Sequence, residues 1–276
     1  MFSSTVLKKK TPMPQVLVKL WLVRHGMTTA NKNGIIQGQQ EWPLDIIGER
    51  QGELTGGELR GRVWWRVYSS DLARAVRTAE LCLNGPPPAV ITDGGPSDAS
   101  GGCKPHVQLL RKDARLREFA LGAREGRPST VSLAQCEDEA RAAGLKELPL
   151  HEKGPDVSRR MTAWLDSFLF EAAAASASGS LDFVQASTVE GEAPSVLVVS
   201  HGGCLLLFLR DVLKLNLGGL SKIENCSITV VRVLKSTSGR FTFQLERCND
   251  VRHVASCTAP AASHGSGGED SAASGV

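Results

Sequence analysis

Apolar positions along this chain follow two rhythms. Residues 16–23 (VLVKLWLV) form a β-branched-rich run that stops at Arg24-His25-Gly26, the pattern of a buried strand feeding a loop. Residues 62–69 (RVWWRVYS) and 195–200 (SVLVVS) repeat it, and 228–233 and 241–245 predict two closing strands around Ser238-Gly239. Between these runs the spacing turns helical. A helix is expected over 47–62, weakened by Gly56-Gly57, and another through Leu83, opened by Ser70-Asp71. Further helices are expected over 129–145, over 155–175 with Pro155 in its first turn, and over 204–215. Strands alternating with helices predict an α/β fold: a three-layer sandwich with a mainly parallel sheet and helices on both faces.

Some stretches break both rhythms. Residues 84–103 hold Pro86-Pro87-Pro88, Gly94-Gly95 and Gly101-Gly102 and read as a flexible insertion. Residues 172–192 are rich in Ala, Ser and Gly and read as a loose surface excursion. The expected organisation is a flexible leader over 1–15, one domain over 16–257 carrying these two insertions, and a disordered tail over 258–276. Lys8-Lys9-Lys10 give the leader a basic start, but Pro12 and Pro14 favour an extended segment over an amphipathic transit helix.

Composition narrows the classes. Of 276 residues, 41% are hydrophobic and 22% charged, as in soluble globular proteins. A net charge of +3 and a pI near 8.5 are too mild to argue for nucleic acid or an anionic membrane surface. One tyrosine and 5% aromatics leave little for base stacking. No stretch approaches the ~18 apolar residues of a spanning helix. Seven cysteines, none in a C-x-x-C pair, match no zinc spacing and read as reduced thiols of a cytoplasmic protein. Neither a metal nor a cofactor is expected, and neither nucleic acid nor membrane is expected as a partner.

The candidate chemistry lies in two similar turns. Leu22-Val23-Arg24-His25-Gly26 and Val198-Val199-Ser200-His201-Gly202 each end an apolar strand in His-Gly. Ligands of open α/β sheets bind beyond the carboxyl ends of strands, so parallel neighbours would bring both histidines to one crevice. Tyr68-Ser69-Ser70-Asp71-Leu72-Ala73-Arg74 adds a third strand-to-helix turn, with Arg74 near the positive helix end. Arg24 and Arg74 together offer planar forks suited to phosphate oxygens.

These blocks resemble the histidine phosphatase superfamily, in its phosphoglycerate-mutase-like branch. Asn31, Gln37-Gly38, Pro43-Leu44 and Gly48 look like the rest of its R-H-G-x-T-x-x-N…Q-G…P-L-x-x-x-G run. Leu116-Arg117-Glu118 with Gly122 and Glu125-Gly126 resembles L-x-E-x-x-x-G-x-x-E-G. Glu152, Val157 and Arg160 resemble the later G-E-S-x-x-x-V-x-x-R segment, and Asn225-Cys226-Ser227 the closing N-x-[SG] turn. Within the branch, the chain looks most like TIGAR-type fructose-2,6-bisphosphatases. It departs from the pattern at Met27, where Glu is usual, at Arg77, where Gln is common, and at His151 and Lys153 around Glu152.

The resemblance implies a metal-independent phosphatase working through a phosphohistidine. His25 would be the nucleophile. Arg24, Arg74 and His201 would hold phosphoryl oxygens, His201 suitably in its protonated form. Glu118 would be the general acid and base. Asn31, Gly38, Glu152 and Gly202 would bind substrate, Glu152 either steering it or anchoring the following helix. The substrate would be a small phosphorylated metabolite such as the sugar bisphosphate fructose 2,6-bisphosphate, its specificity set by residues 84–103 and 139–155. Alternatives are a phosphoglycerate mutase or bisphosphoglycerate phosphatase, a protein phosphatase, and a weakly active regulatory binding protein of the same fold.

Overall fold

The computed structural model describes residues 14–84, 110–187 and 192–257. Nearly all of the expected leader, the insertion over 84–103 and the tail lie outside the described residues.

Six strands form one sheet: β1 (Gln15–Arg24), β2 (Trp64–Ser69), β3 (Leu110–Lys112), β4 (Ser195–Ser200), β5 (Ile228–Lys235) and β6 (Phe241–Asp250). Their order is β3-β2-β4-β1-β5-β6. β1 to β4 run parallel, while β5 is antiparallel to both β1 and β6. The sheet is thus mixed, its antiparallel part being the two closing strands. β3, a three-residue edge strand reading Leu-Arg-Lys, has no apolar run to announce it.

Side chains alternate across the sheet as the pleat requires. Val18, Leu20 and Leu22 of β1, with Val196 and Val198 of β4, enter one buried core. Trp21 and Val23, with Leu197 and Val199, enter the other. Strands buried on both faces explain the unbroken apolar runs.

Helices α1 (Thr29–Lys32), α2 (Ile46–Glu58) and α3 (Ala73–Asn84) follow β1 and β2. α2 forms despite its glycines because Gly48, Gly52 and Gly56 are buried four residues apart on one face. A Cβ on Gly52 would come within 2.6 Å of the Leu81 side chain in α3. The helix pair therefore trades helix propensity for close packing.

α4 (Leu133–Ala142) is shorter than the 129–145 periodicity suggests, because Ser132 caps its start. α5 (Gly154–Ser178) packs on the other face of the sheet. Its Trp164 and Phe168 stack at 5.5 Å, and Tyr68 of β2 meets Trp164 edge-on at 5.6 Å. Over its described residues up to 187, the excursion expected over 172–192 is corrected. α5 continues through its alanines to Ser178, stops at Gly179 in the left-handed region (φ 62°), and α6 (Leu181–Gln185) follows. Alanine is the best helix former, and buried Ala172 and Phe183 tie both segments to the core. α7 (Gly202–Leu207) likewise differs from the 204–215 expectation. It begins earlier and widens into a π-type turn over Phe208–Val212.

Candidate active site

The β1–β4 register decides the geometry. Arg24 lies beside Ser200, so His25 and His201 leave the sheet at one level. The His25 N–H donates to the Ser200 carbonyl at 2.9 Å, and the two imidazoles stand 5.1 Å apart at 57°. One turn further across the sheet, the Ser70 N–H bonds to the Val199 carbonyl, which sets the start of α3 and with it Arg74. Three distant segments thereby meet at the carboxyl ends of β1, β4 and β2.

The crevice holds about 430 Å³ and is lined by Arg24, His25, Asn31, Gly38, Arg74 and Glu118, among others. His25 is 3% exposed, Arg74 1% and His201 0%. His25 Nδ1 lies 2.8 Å from the Gly26 carbonyl. A carbonyl only accepts, so Nδ1 carries the proton and Nε2 keeps its lone pair. The His25 backbone carbonyl accepts from Asn225 Nδ2 at 2.8 Å, and the Gly26 N–H donates to Thr78 Oγ1 of α3. Gly26 has no room for a side chain, since a Cβ would meet the Gly48 carbonyl oxygen at 2.6 Å.

Both arginines are anchored at their tips. Arg24 Nη1 donates to the Ile223 carbonyl, and Arg74 Nη1 and Nη2 donate to the carbonyls of Gln40 and Gly38. Gly38 sits at φ 51°, so its first task is to turn a carbonyl toward Arg74. Gly202 lets the Arg24 guanidinium pack against α7, with a built Cβ only 3.2 Å from Nε. What remains unpartnered among the described residues is informative. Arg24 Nε, Arg74 Nε and both ring nitrogens of His201 are buried without a hydrogen-bond partner. Buried polar groups are costly to leave unsatisfied, and these belong to two arginines that line the crevice with His25 and to the histidine beside it.

Charge follows burial. Burial pushes His25 well below the usual histidine range, and Arg74 and Arg24 add repulsion. His201 is lowered in the same way, by burial first, then Arg74 and His25. Burial also brings Arg74 down to about 10, so it stays cationic at neutral pH. Without a phosphoryl group in the crevice, burial and the two arginines thus favour the neutral form of His201 over the protonated form expected for phosphate binding. A neutral ring still offers one N–H donor.

Glu118 enters from a loop. Its carboxylate accepts from the N–H groups of Phe119, Gly203 and Cys204 at 2.9–3.0 Å, which fixes it against α7. The main chain behind it is held by Arg160, whose guanidinium donates to the carbonyls of Arg115, Arg117 and Glu118. Glu152 lies elsewhere. Both its oxygens pair with Arg160, and one also accepts from the Ala120 N–H at 2.8 Å. Of its two expected roles, these contacts match the anchoring one, Arg160 lying in α5. Asn31 lines the crevice, with its carbonyl end held by the Thr28 N–H and Asn225 Nδ2. The Met27 N–H bonds to Gln51, exposed Arg77 pairs with Glu49 at 2.7 Å, and His151 bridges to Leu121.

The matches agree with this geometry. The sequence matches the histidine phosphatase superfamily (branch 1) over residues 20–95 and 99–250. The chain belongs to that superfamily. It is 29% identical over 246 residues to a probable phosphoglycerate mutase GpmB of Yersinia enterocolitica, covering 86% of this chain and 95% of the relative. The fold matches a phosphoglycerate mutase of Bacillus anthracis at TM-score 0.57 and 25% identity, over 88% of this chain and 97% of that one. A mycobacterial glucosyl-3-phosphoglycerate phosphatase with bound VO3 matches at TM-score 0.54 and 24% identity, over 84% and 98%. Among the described residues, no helix is long and apolar enough to cross a membrane.

Several site residues were not singled out from the sequence. Ile35, Ile36, Phe119 and Leu121 line the crevice, and Thr78 holds the turn after His25 in place; Arg160 was named only as part of a motif, without its role of gathering carbonyls. Only the isolated Ile35-Ile36 pair inside a polar loop carried a signal, an apolar pair with no helical or strand periodicity around it.

Proposed function

We propose that this superfamily member is a metal-independent phosphatase acting on a small phosphorylated metabolite, with His25 as the nucleophile. The observation that carries the reading is that Arg24, His25 and Arg74 line one crevice with His201 beside His25, while Arg24 Nε, Arg74 Nε and both His201 ring nitrogens are buried without a partner. A phosphoryl group would satisfy them.

In the first step His25 Nε2 bonds to phosphorus as the ester oxygen leaves with its electron pair. Arg24, Arg74 and His201 hold the equatorial oxygens, and Asn31 offers its amide NH2. Glu118, as the acid, gives a proton to the departing oxygen. In the second step the same carboxylate takes a proton from water, whose oxygen bonds to phosphorus as the P–N bond breaks. Orthophosphate and free His25 result. A reducing, cytosolic setting belongs to the same reading.

Fructose 2,6-bisphosphate is the weaker substrate choice. A second phosphate calls for a second cationic cluster, and Arg24 and Arg74 are the only cations lining the crevice among the described residues. A mutase is the second reading, favoured by the names of the Yersinia relatives. A panel of phosphorylated sugars, glycerates and p-nitrophenyl phosphate, scored by phosphate release with His25→Ala as control, tests the proposal. Release by the wild type alone supports it, while positional isomers of the glycerates without release would favour the mutase.

A further inference from the structure

The part of the crevice beyond the phosphate floor has a chemistry of its own. Ile35 and Ile36 line one side, and Phe119 and Leu121 line another. Backbone bonds, Ile36 N–H to the Arg127 carbonyl and Gly126 N–H to the Ile36 carbonyl, and a bridge between Ile35 and Pro128 hold the first pair against residues 126–128, and Glu125 Oε1, accepting from the N–H groups of Leu121 and Gln39, ties in the second. The arrangement is therefore a fixed groove and not a chance surface contact.

The acceptors that could meet a leaving group's hydroxyls are largely committed within the protein, while the open donors face the phosphoryl group. Gln37 Oε1 accepts from Thr28, and Asn31 Oδ1 accepts from Thr28 and Asn225. The Glu118 carboxylate takes three backbone N–H groups, and the tips of Arg74 are spent on two carbonyls. A leaving group carrying many hydroxyls would lose water there and find few partners in return. An apolar one would lose water at no such cost.

We propose that Ile35, Ile36, Phe119 and Leu121 form an apolar leaving-group subsite, so that this enzyme prefers phosphate monoesters of alkyl or aryl alcohols over those of polyols and glycerates. The proposal rests on the phosphatase reading above and deepens it.

The test is a homologous series of n-alkyl phosphates, ethyl through hexyl, compared with glycerol 3-phosphate and 3-phosphoglycerate. The alkanols leave with nearly the same basicity, so the chemical step is held constant while apolar area grows. Each methylene that enters the groove should raise kcat/KM by up to about fourfold. Hexyl over ethyl phosphate should then exceed about tenfold, with both glycerol 3-phosphate and 3-phosphoglycerate below butyl phosphate. Ile36→Ser and Leu121→Ser should each reduce the hexyl-to-ethyl ratio. That ratio is read within one preparation, so a partly misfolded variant does not alter it, and Ile36→Val should keep most of it. A flat alkyl series with faster glycerate hydrolysis would overturn the subsite and leave the phosphatase reading standing. No phosphate release from any ester, p-nitrophenyl phosphate included, would instead remove the phosphatase reading.

Discussion

Arg24, His25 and His201 stand on the ends of two paired strands, whereas Ile35, Ile36, Phe119, Leu121 and Glu118 stand on loops. The first group is placed by sheet register. Arg24 faces Ser200, and shifting that pairing by one residue would turn every side chain of β1 to the other face. The second group is placed by side chains reaching to backbone, with Arg160, Gln39 and Glu125 each bonding main-chain atoms of another segment. The floor is thus rigid by construction, and the wall is only as well placed as its polar anchors. Phosphoryl binding and attack, common to all phosphate esters, belong on such a floor; proton transfer by Glu118 and selectivity among leaving groups belong on such a wall.

Damage to the floor should be the most severe. Arg74→Met and His201→Ala should each lower kcat/KM for every ester by about 10²–10³-fold, since each removes a preorganised contact to developing charge. Steady-state assays on p-nitrophenyl phosphate and hexyl phosphate check this. A loss confined to one ester would mean that these residues belong functionally to the wall.

Glu118→Gln should separate the two regions next. Loss in kcat/KM on alkyl phosphates should reach about 10²-fold or more, while kcat/KM for p-nitrophenyl phosphate, whose leaving group needs no proton, changes little even though its kcat falls with the slowed hydrolysis of phosphohistidine. Equal losses would remove Glu118 as the acid.

Arg160→Met should act through Glu118 and so reproduce that split at smaller size. The pair with Glu152 is mostly buried, at 16% and 11% side-chain exposure, so the variant should also lose about 3 kcal/mol in denaturant unfolding. Arg160→Lys should not restore the split, because one ammonium cannot span three carbonyls and a carboxylate. A uniform loss across esters would mean that Arg160 supports only the fold.

The smallest effect concerns pH. Both site histidines titrate below their unfolded value in the native protein. As pH falls below about 6.5, the unfolded chain takes up protons that the native chain refuses, so stability is lost with falling pH. Each histidine should contribute up to roughly 1 kcal/mol per pH unit in that window. His201→Asn should make the decline shallower between about pH 6.5 and 5. An unchanged slope would show that His201 is protonated in the fold.

The same contrast explains what the sequence disclosed. Strand ends are legible because a buried parallel strand is an unbroken apolar run, and a His-Gly that ends it is easily seen. Arg24, His25, Arg74 and His201 accordingly meet where the pattern put them. The wall was poorly legible. Nothing in Arg115, Arg117 or Glu118 says that their carbonyls would be gathered by Arg160, more than forty residues later. Phe119 and Leu121 lie in a segment without periodicity. Glu152 shows the same difficulty, since a carboxylate near a helix start looks alike whether it meets substrate or an arginine. Helix lengths were missed where local composition misled, as with the alanines that carry α5 on to Ser178.

The account depends most on a covalent bond between His25 and phosphorus. Rapid acid-free quenching of the enzyme with a 32P-labelled monoester, followed by peptide mapping, measures it directly. The prediction is one acid-labile, alkali-stable label per chain on the peptide holding His25, absent in His25→Ala and accumulating where Glu118→Gln slows hydrolysis. Label on another residue, or label that persists in His25→Ala, would contradict it.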